Sequence, residues 1–162
     1  MGAHQVAMVR QSVMPVVEAL TARVESLTPS VYSDVTFSCP RYCLGASDAE
    51  GWIQDFGRST RDFVVYVSSL PTLTDANAPC HISTVVTVAV AYRADLADVV
   101  RDGMMVDDCT AIMSAVIARP DLWGGADSVW PRDGGASVIE ISDEQGAVQC
   151  YVVQIPFLVV LH

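Results

Sequence analysis

Apolar residues recur along this chain with two alternating periods. From 8 to 27, Val9, Val13, Val16, Val17, Leu20, Val24 and Leu27 follow the three-and-four spacing of one helical face, and Arg10, Glu18, Arg23 and Glu25 fall off it. Pro15 stands inside the pattern, so the predicted helix either starts at Met14 or Pro15, where a missing N–H has no partner to lose, or kinks there. Thr28-Pro29-Ser30 closes it. Period two follows. Val31, Ser33, Val35 and Phe37 alternate and predict a short strand over 31–38, and FVVYVSS (63–69) and ISTVVTVAVAY (82–92) are β-branched runs that predict two more. In the longer run Ile82, Thr84, Val86, Val88, Val90 and Tyr92 share one face. The other face carries Ser83, Val85, Thr87, Ala89 and Ala91, small residues suited to close packing against a helix. Helical spacing returns from about Val106 to Ala118, with Val106, Cys109, Met113, Val116 and Ile117 on its predicted buried face. Asp107 and Asp108 fall in its predicted first turn, where the helix dipole favours acids, and Pro120 stops it. The last stretch reads as a hairpin: Ser137–Ser142, a polar turn at 143–146, and the long apolar strand Ala147–Leu161.

Between these elements, Cys39–Asp62 reads as irregular, punctuated by Pro40, Gly45, Gly51 and Gly57, and Pro120–Ala136 reads as a seventeen-residue loop. Loops of that length are uncommon in compact domains and tend to be functional or disordered. The expected order is α-β-β-β-α-β-β. That order predicts a single α+β domain over 1–162, with a mostly antiparallel sheet of about five strands and two helices packed on one face. The sheet's opposite face then meets either water or a partner.

Composition narrows the options. Apolar residues make up 51% of the chain and the mean hydropathy is +0.36, yet no window approaches the ~18 uncharged apolar residues of a membrane span. No signal peptide is predicted, because the first ten residues lack a clean apolar stretch before a small-residue cleavage site. An apolar excess without a span points to a large core or to surface that another subunit covers. Nineteen acids oppose nine bases, all arginine, for a net charge of −10. The arginines are scattered and form no basic stripe, which argues against direct binding of nucleic acid. Such a chain can still line a passage for DNA, since like charge keeps the polymer from sticking.

Catalytic and metal constellations are weak. Cys39, Cys43, Cys80, Cys109 and Cys150 form an odd set without a repeated CxxC and read as free thiols, although Cys39, Cys43, Cys80 and His81 form a conceivable zinc set of poor spacing. No GxSxG, P-loop or GxGxxG occurs. A small enzyme or ligand-binding domain would have to use Cys80, His81 and the Asp107-Asp108 pair. The sequence therefore implies no enzyme, cofactor or metal. Its candidate partner-interface residues are Trp52 and Phe56 in one segment and Trp123, Trp130 and Arg132 in another. Each tryptophan either plugs its own loop onto the domain or anchors a protein contact, a role in which Trp and Arg are enriched.

An N-terminal amphipathic helix over Val9–Leu27, a long VVTVAVAY-type central strand, a second helix and a terminal hairpin ending PFLVVL together resemble the tail terminator proteins of long-tailed bacteriophages. The resemblance covers nearly the whole chain and rests on element order and size, not on a short motif. It implies a structural virion protein at the head-proximal end of the tail, assembled in the host cytoplasm. Such a protein forms a homo-oligomeric ring, usually a hexamer, that caps the tail tube and meets a head-completion or connector protein. DNA passes through the ring without sequence-specific binding, and no membrane, cofactor or catalytic residue is implied. The Cys39–Asp62 segment and the Pro120–Ala136 loop depart from the pattern and leave room for a neck or minor tail adaptor of the same fold.

Overall fold

The computed structural model describes residues 12–40, 45–55, 60–73, 81–118, 126 and 128–161, with backbone alone at 46 and 52–55. In chain order the elements are α1 (Met14–Glu25), α2 (Ala46–Asp55), β1 (Phe63–Val67), β2 (Thr72–Leu73), β3 (Ile82–Arg93), α3 (Asp98–Ala118), β4 (Ser128–Pro131), β5 (Ser137–Ser142) and β6 (Val148–Leu161). Two long strands make the spine. β3 and β6 pair antiparallel from Ile82 opposite Leu161 to Arg93 opposite Cys150 without a register break. Each has a broken edge strand outside it: β1 and β2 pair with successive parts of β3, and β5 and β4 with successive parts of β6. The result is a six-stranded antiparallel sheet with helices packed against it, an α+β fold.

Alternation sorts the side chains onto two faces. On one, Phe63, Val65, Val86, Val88, Val90, Val153, Ile155, Phe157 and Val159 join Val16, Val17, Leu20 and Val24 of α1 and Met104, Ile112 and Val116 of α3 in the main core. α1 starts at Met14 with Pro15 in its first turn, so the proline opens the helix and does not kink it. On the other face, Ala49 of α2 sits with Val64, Ala89, Ala91 and Val152 in a smaller cluster. The small residues of β3 do receive a helix, as their size suggested. That helix is α2, so the helices do not all lie on one face.

The closing hairpin forms as expected. Asp143 Oδ1 accepts from the N–H groups of Gln145 and Ala147, both at 2.9 Å, and Gly146 takes the φ of 84° that the turn requires.

Four other expectations give way. The segment 31–38 turns instead of extending, with Tyr32 at φ 53° and the Val35 N–H bonded to the Tyr32 carbonyl at 3.1 Å; a single parallel bridge joins Ser38 to Asp62. The segment expected to be irregular contains α2. The second half of the expected Pro120–Ala136 loop contains β4. The helix expected from Val106 begins at Asp98, eight residues earlier, so Asp107 and Asp108 lie inside it and not in its first turn.

One buried residue explains two of these corrections. Arg61 is fully buried, at φ 67°, directly before β1. Its Nε and Nη2 hold the two carboxylate oxygens of Asp108 at 2.8 and 3.0 Å. Nη1 donates to the carbonyls of Tyr32 (2.6 Å) and Val35 (2.8 Å), and Nη2 donates to the carbonyl of Val31. All five guanidinium donors are thereby used. The Phe37 ring lies 5.6 Å from the guanidinium carbon, and the Tyr92 hydroxyl donates to Asp108 Oδ2 at 2.7 Å. Converging on one cation, these three carbonyls hold 31–38 in its turned course. Asp108 must face inward to meet Arg61, which fixes the rotation of α3.

Breaking a buried ion pair from one side costs about 3–5 kcal/mol. Asp108→Ala should lower unfolding free energy in urea by that amount. Arg61→Met should cost at least as much, because three carbonyls also lose their donor. Burial first, then the charge of Asp108 and its hydrogen bond, push the Tyr92 hydroxyl well above the ordinary tyrosine range. The neutral phenol is therefore favoured more in the folded chain than in the unfolded one. Its stabilisation is complete below pH about 10 and is lost as pH rises beyond it. Tyr92→Phe should cost about 1.5–3 kcal/mol at neutral pH, and the gap from the parent should narrow in alkaline unfolding curves.

Candidate functional site

Among the described residues, the helical cover on the far face of the sheet is α2, at the Ala89–Ala91 end. Toward the other end, where β4 borders β6, the pleat turns Trp130, Leu158 and Pro156 outward together, because Trp130 stands opposite Leu158 in register. Trp130 is 56% exposed and Leu158 39%. Arg132 follows on the same face, its backbone N–H bonded to the Pro156 carbonyl at 2.9 Å, and its side chain is exposed. Beyond it Gly134 (φ 95°) and Gly135 (φ 69°) let the edge strand loop out before β5 resumes the pairing, with the Gly135 N–H returning to the Arg132 carbonyl at 3.1 Å.

Arg132 stands at the lip of a polar depression of about 270 Å³ that includes Tyr66, Ser68, Thr87 and Gln154. Its hydroxyls are largely committed within the chain: Thr87 Oγ1 donates to Ser68 Oγ at 2.8 Å, and Ser68 Oγ to the Val85 carbonyl at 3.1 Å. Burial, then the nearby charge of Glu50, raise the Tyr66 hydroxyl above its ordinary value, while a hydrogen bond with the Gln154 side chain opposes them. This depression offers a cation beside hydroxyls already bonded within the chain.

A second opening lies on the helical face of the same sheet edge. There Met105, Val106, Cys109 and Met113 of α3 face Val138 of β5 across Val153, leaving a groove of about 380 Å³ with Asp102 at its border. Val106 is 65% exposed and Val138 52%. Val106, Cys109 and Met113 are part of the stripe that sequence spacing assigned to the core. Val116 of that stripe is buried, and Cys109 and Met113 are half-buried and pack against the main core, while Val106 and Ile117 are exposed; the fully inward face of α3 is Arg101, Met104, Asp108, Ile112, Ala115 and Val116. Burial, and secondarily Asp108, raise the Cys109 thiol and favour its protonated form.

Of the five residues proposed from sequence, the structure brings Trp130 and Arg132 together. Trp52 lies on α2 by its backbone, and Phe56 and Trp123 fall outside the described residues. In the alternative constellation, Cys80 is also outside them. His81 stands at the opposite end of β3 from Tyr92, the residue that holds Asp108; at about 3.3 Å per strand residue this separates them by roughly 36 Å. Among the described residues no three of His, Cys, Asp and Glu gather closely enough to hold a metal ion; of the conceivable zinc set, Cys43 and Cys80 lie outside them. No described helix is long and apolar enough to cross a membrane. Sequence reasoning missed Arg61 altogether, and only its position directly before an apolar strand marked it.

The geometry defines an α+β protein with an antiparallel sheet whose clearest open features are an aromatic–cation patch and an apolar groove. No protein-family model and no curated protein matches the sequence.

Proposed function

We propose that this chain is a structural assembly subunit that builds a homo-oligomeric ring of the tail-terminator kind, capping a tail tube and presenting a surface to a head connector. The observation that carries the self-assembly part is the exposed Trp130, with Leu158 and Arg132, on a half of the sheet face that no described helix covers. Aromatic residues and arginine are the side chains that most often dominate binding energy at protein interfaces. The open groove beside α3 adds a second apolar surface, and together they account for part of the chain's hydrophobic excess. The virion part of the reading rests on the resemblance in element order. A net charge of −10 suits a conduit through which DNA moves without adhering.

Static light scattering over a wide concentration series, with and without Mg²⁺, tests the reading. The expected result is a mass that rises with concentration toward six copies of the 17.4 kDa chain. A closed ring of another order would favour a neck or minor tail adaptor. A 17.4 kDa species throughout contradicts self-assembly.

A further inference from the structure

We propose, building on the self-assembly reading, that the contact between copies is heterologous: Trp130 and Arg132 of one copy enter the groove between α3 and β5 of the next. The groove exists because α3 carries two apolar stripes. Met104, Ile112 and Val116 are buried on the sheet, while Met105, Cys109 and Met113 pack at the border of the same core and line an opening of about 380 Å³ with Val138 and Val153. Methionine-rich walls adapt to an inserted ring and make favourable sulfur–aromatic contacts. The matching projection is on the other side of the sheet, where Trp130 stands more than half exposed.

Charge selects this pairing. Copies of a chain with net charge −10 repel one another, so a stable contact must set a cation against an acid. Among the described arginines, Arg61, Arg93 and Arg101 are each engaged by a carboxylate of their own chain, and Arg23 is half-buried on α1. Arg132 is exposed and has no carboxylate partner among the described residues. At the groove, Asp102 is the bordering carboxylate. Its neighbour Arg101 gives its Nη2 to Asp98 at 2.9 Å and stacks on Tyr151 at 3.9 Å, leaving Asp102 only a 4.0 Å approach to Nε. A symmetric contact through the Trp130 patch would bring two Arg132 side chains together, and a symmetric contact through the groove would oppose two Asp102 side chains. Joining the patch to the groove satisfies both. Because the two surfaces lie on opposite faces of the sheet, each copy can engage two neighbours at once, and such head-to-tail contacts close into rings when the rotation permits.

Charge reversal on each side, followed by mixing, tests this on the full chain. Arg132→Asp and Asp102→Arg should each leave the protein folded, by circular dichroism and melting, but monomeric by light scattering. An equimolar mixture of the two should regain assembly with the variants alternating, since the intact projection of Asp102→Arg meets the intact groove of Arg132→Asp and the two reversed charges meet each other at the next contact. The double variant in one chain should regain assembly. Trp130→Ala, at an exposed site, should raise the concentration for half-assembly by about thirtyfold or more, the scale of an interfacial hot spot; it decides the matter should a charge reversal disturb folding. Single variants and Trp130→Ala that assemble like the parent overturn this contact while leaving ring formation standing, as does a mixture of folded variants that stays monomeric. A monomeric parent chain overturns the self-assembly reading, and this contact with it.

Discussion

A guanidinium shut away from water needs an acceptor for every N–H it carries, and this requirement at Arg61 organises much of the molecule. Asp108 supplies two of the acceptors and the turn at 31–35 supplies three. The first set turns one residue of α3 inward and with it the whole helix. Met104, Ile112 and Val116 then meet the sheet, while Val106, Cys109 and Met113 are left facing β5. The apolar groove and the buried ion pair thus lie on neighbouring sides of the same helix. The second set holds 31–38 against the start of β1, whose outer side also carries the bridges Ser38–Asp62 and Gly45–Val67. That edge of the sheet is occupied by the chain itself. The β4–β5 edge lacks such a flank among the described residues, and both open surfaces border it.

The parts of this fold that rest on local periodicity could be read from the sequence. Alternation in 82–92 and 147–161 is strong enough to predict the two central strands, and the turn at 143–146 is fixed by Asp143 and Gly146, which lie within its own few residues. The Pro15 ambiguity left two readings, and the structure takes the first-turn one. What was not legible depends on partners distant in sequence. Arg61 and Asp108 are 47 residues apart, and nothing in the spacing of either shows that they meet. Without that pair, Asp107-Asp108 looks like a helix start, and Val106 looks like part of the core stripe. Glycine misled once. Gly51 read as a break, yet it lies inside a helix with open space where a side chain would go, so its cost is propensity and not packing. For the candidate site, residue type alone singled out Trp130 and Arg132. Their convergence with Leu158 required the register of β4 on β6, which places them on one face of the sheet.

The functional reading follows from where the apolar surface lies. Among the described residues, one face of the sheet is filled by α1 and α3 and the other is covered by α2 at one end, and the part left open includes a tryptophan and an arginine. The second apolar stripe of α3 is open on the other side of the same edge. Repulsion within an ensemble so acidic sets the terms on which copies can meet: a contact must be specific in charge as well as apolar. The proposed ring, joined head to tail, meets that condition.

Hydrogen–deuterium exchange followed across a dilution series tests the two-surface account most directly, because it reports both surfaces in one experiment. The account predicts that amides of 128–132 and those of 102–113 with 136–140 gain protection together as concentration rises, while α1 and β3 exchange at the same rates throughout. Protection that is identical at every concentration, or that grows at one of the two surfaces without the other, would contradict it.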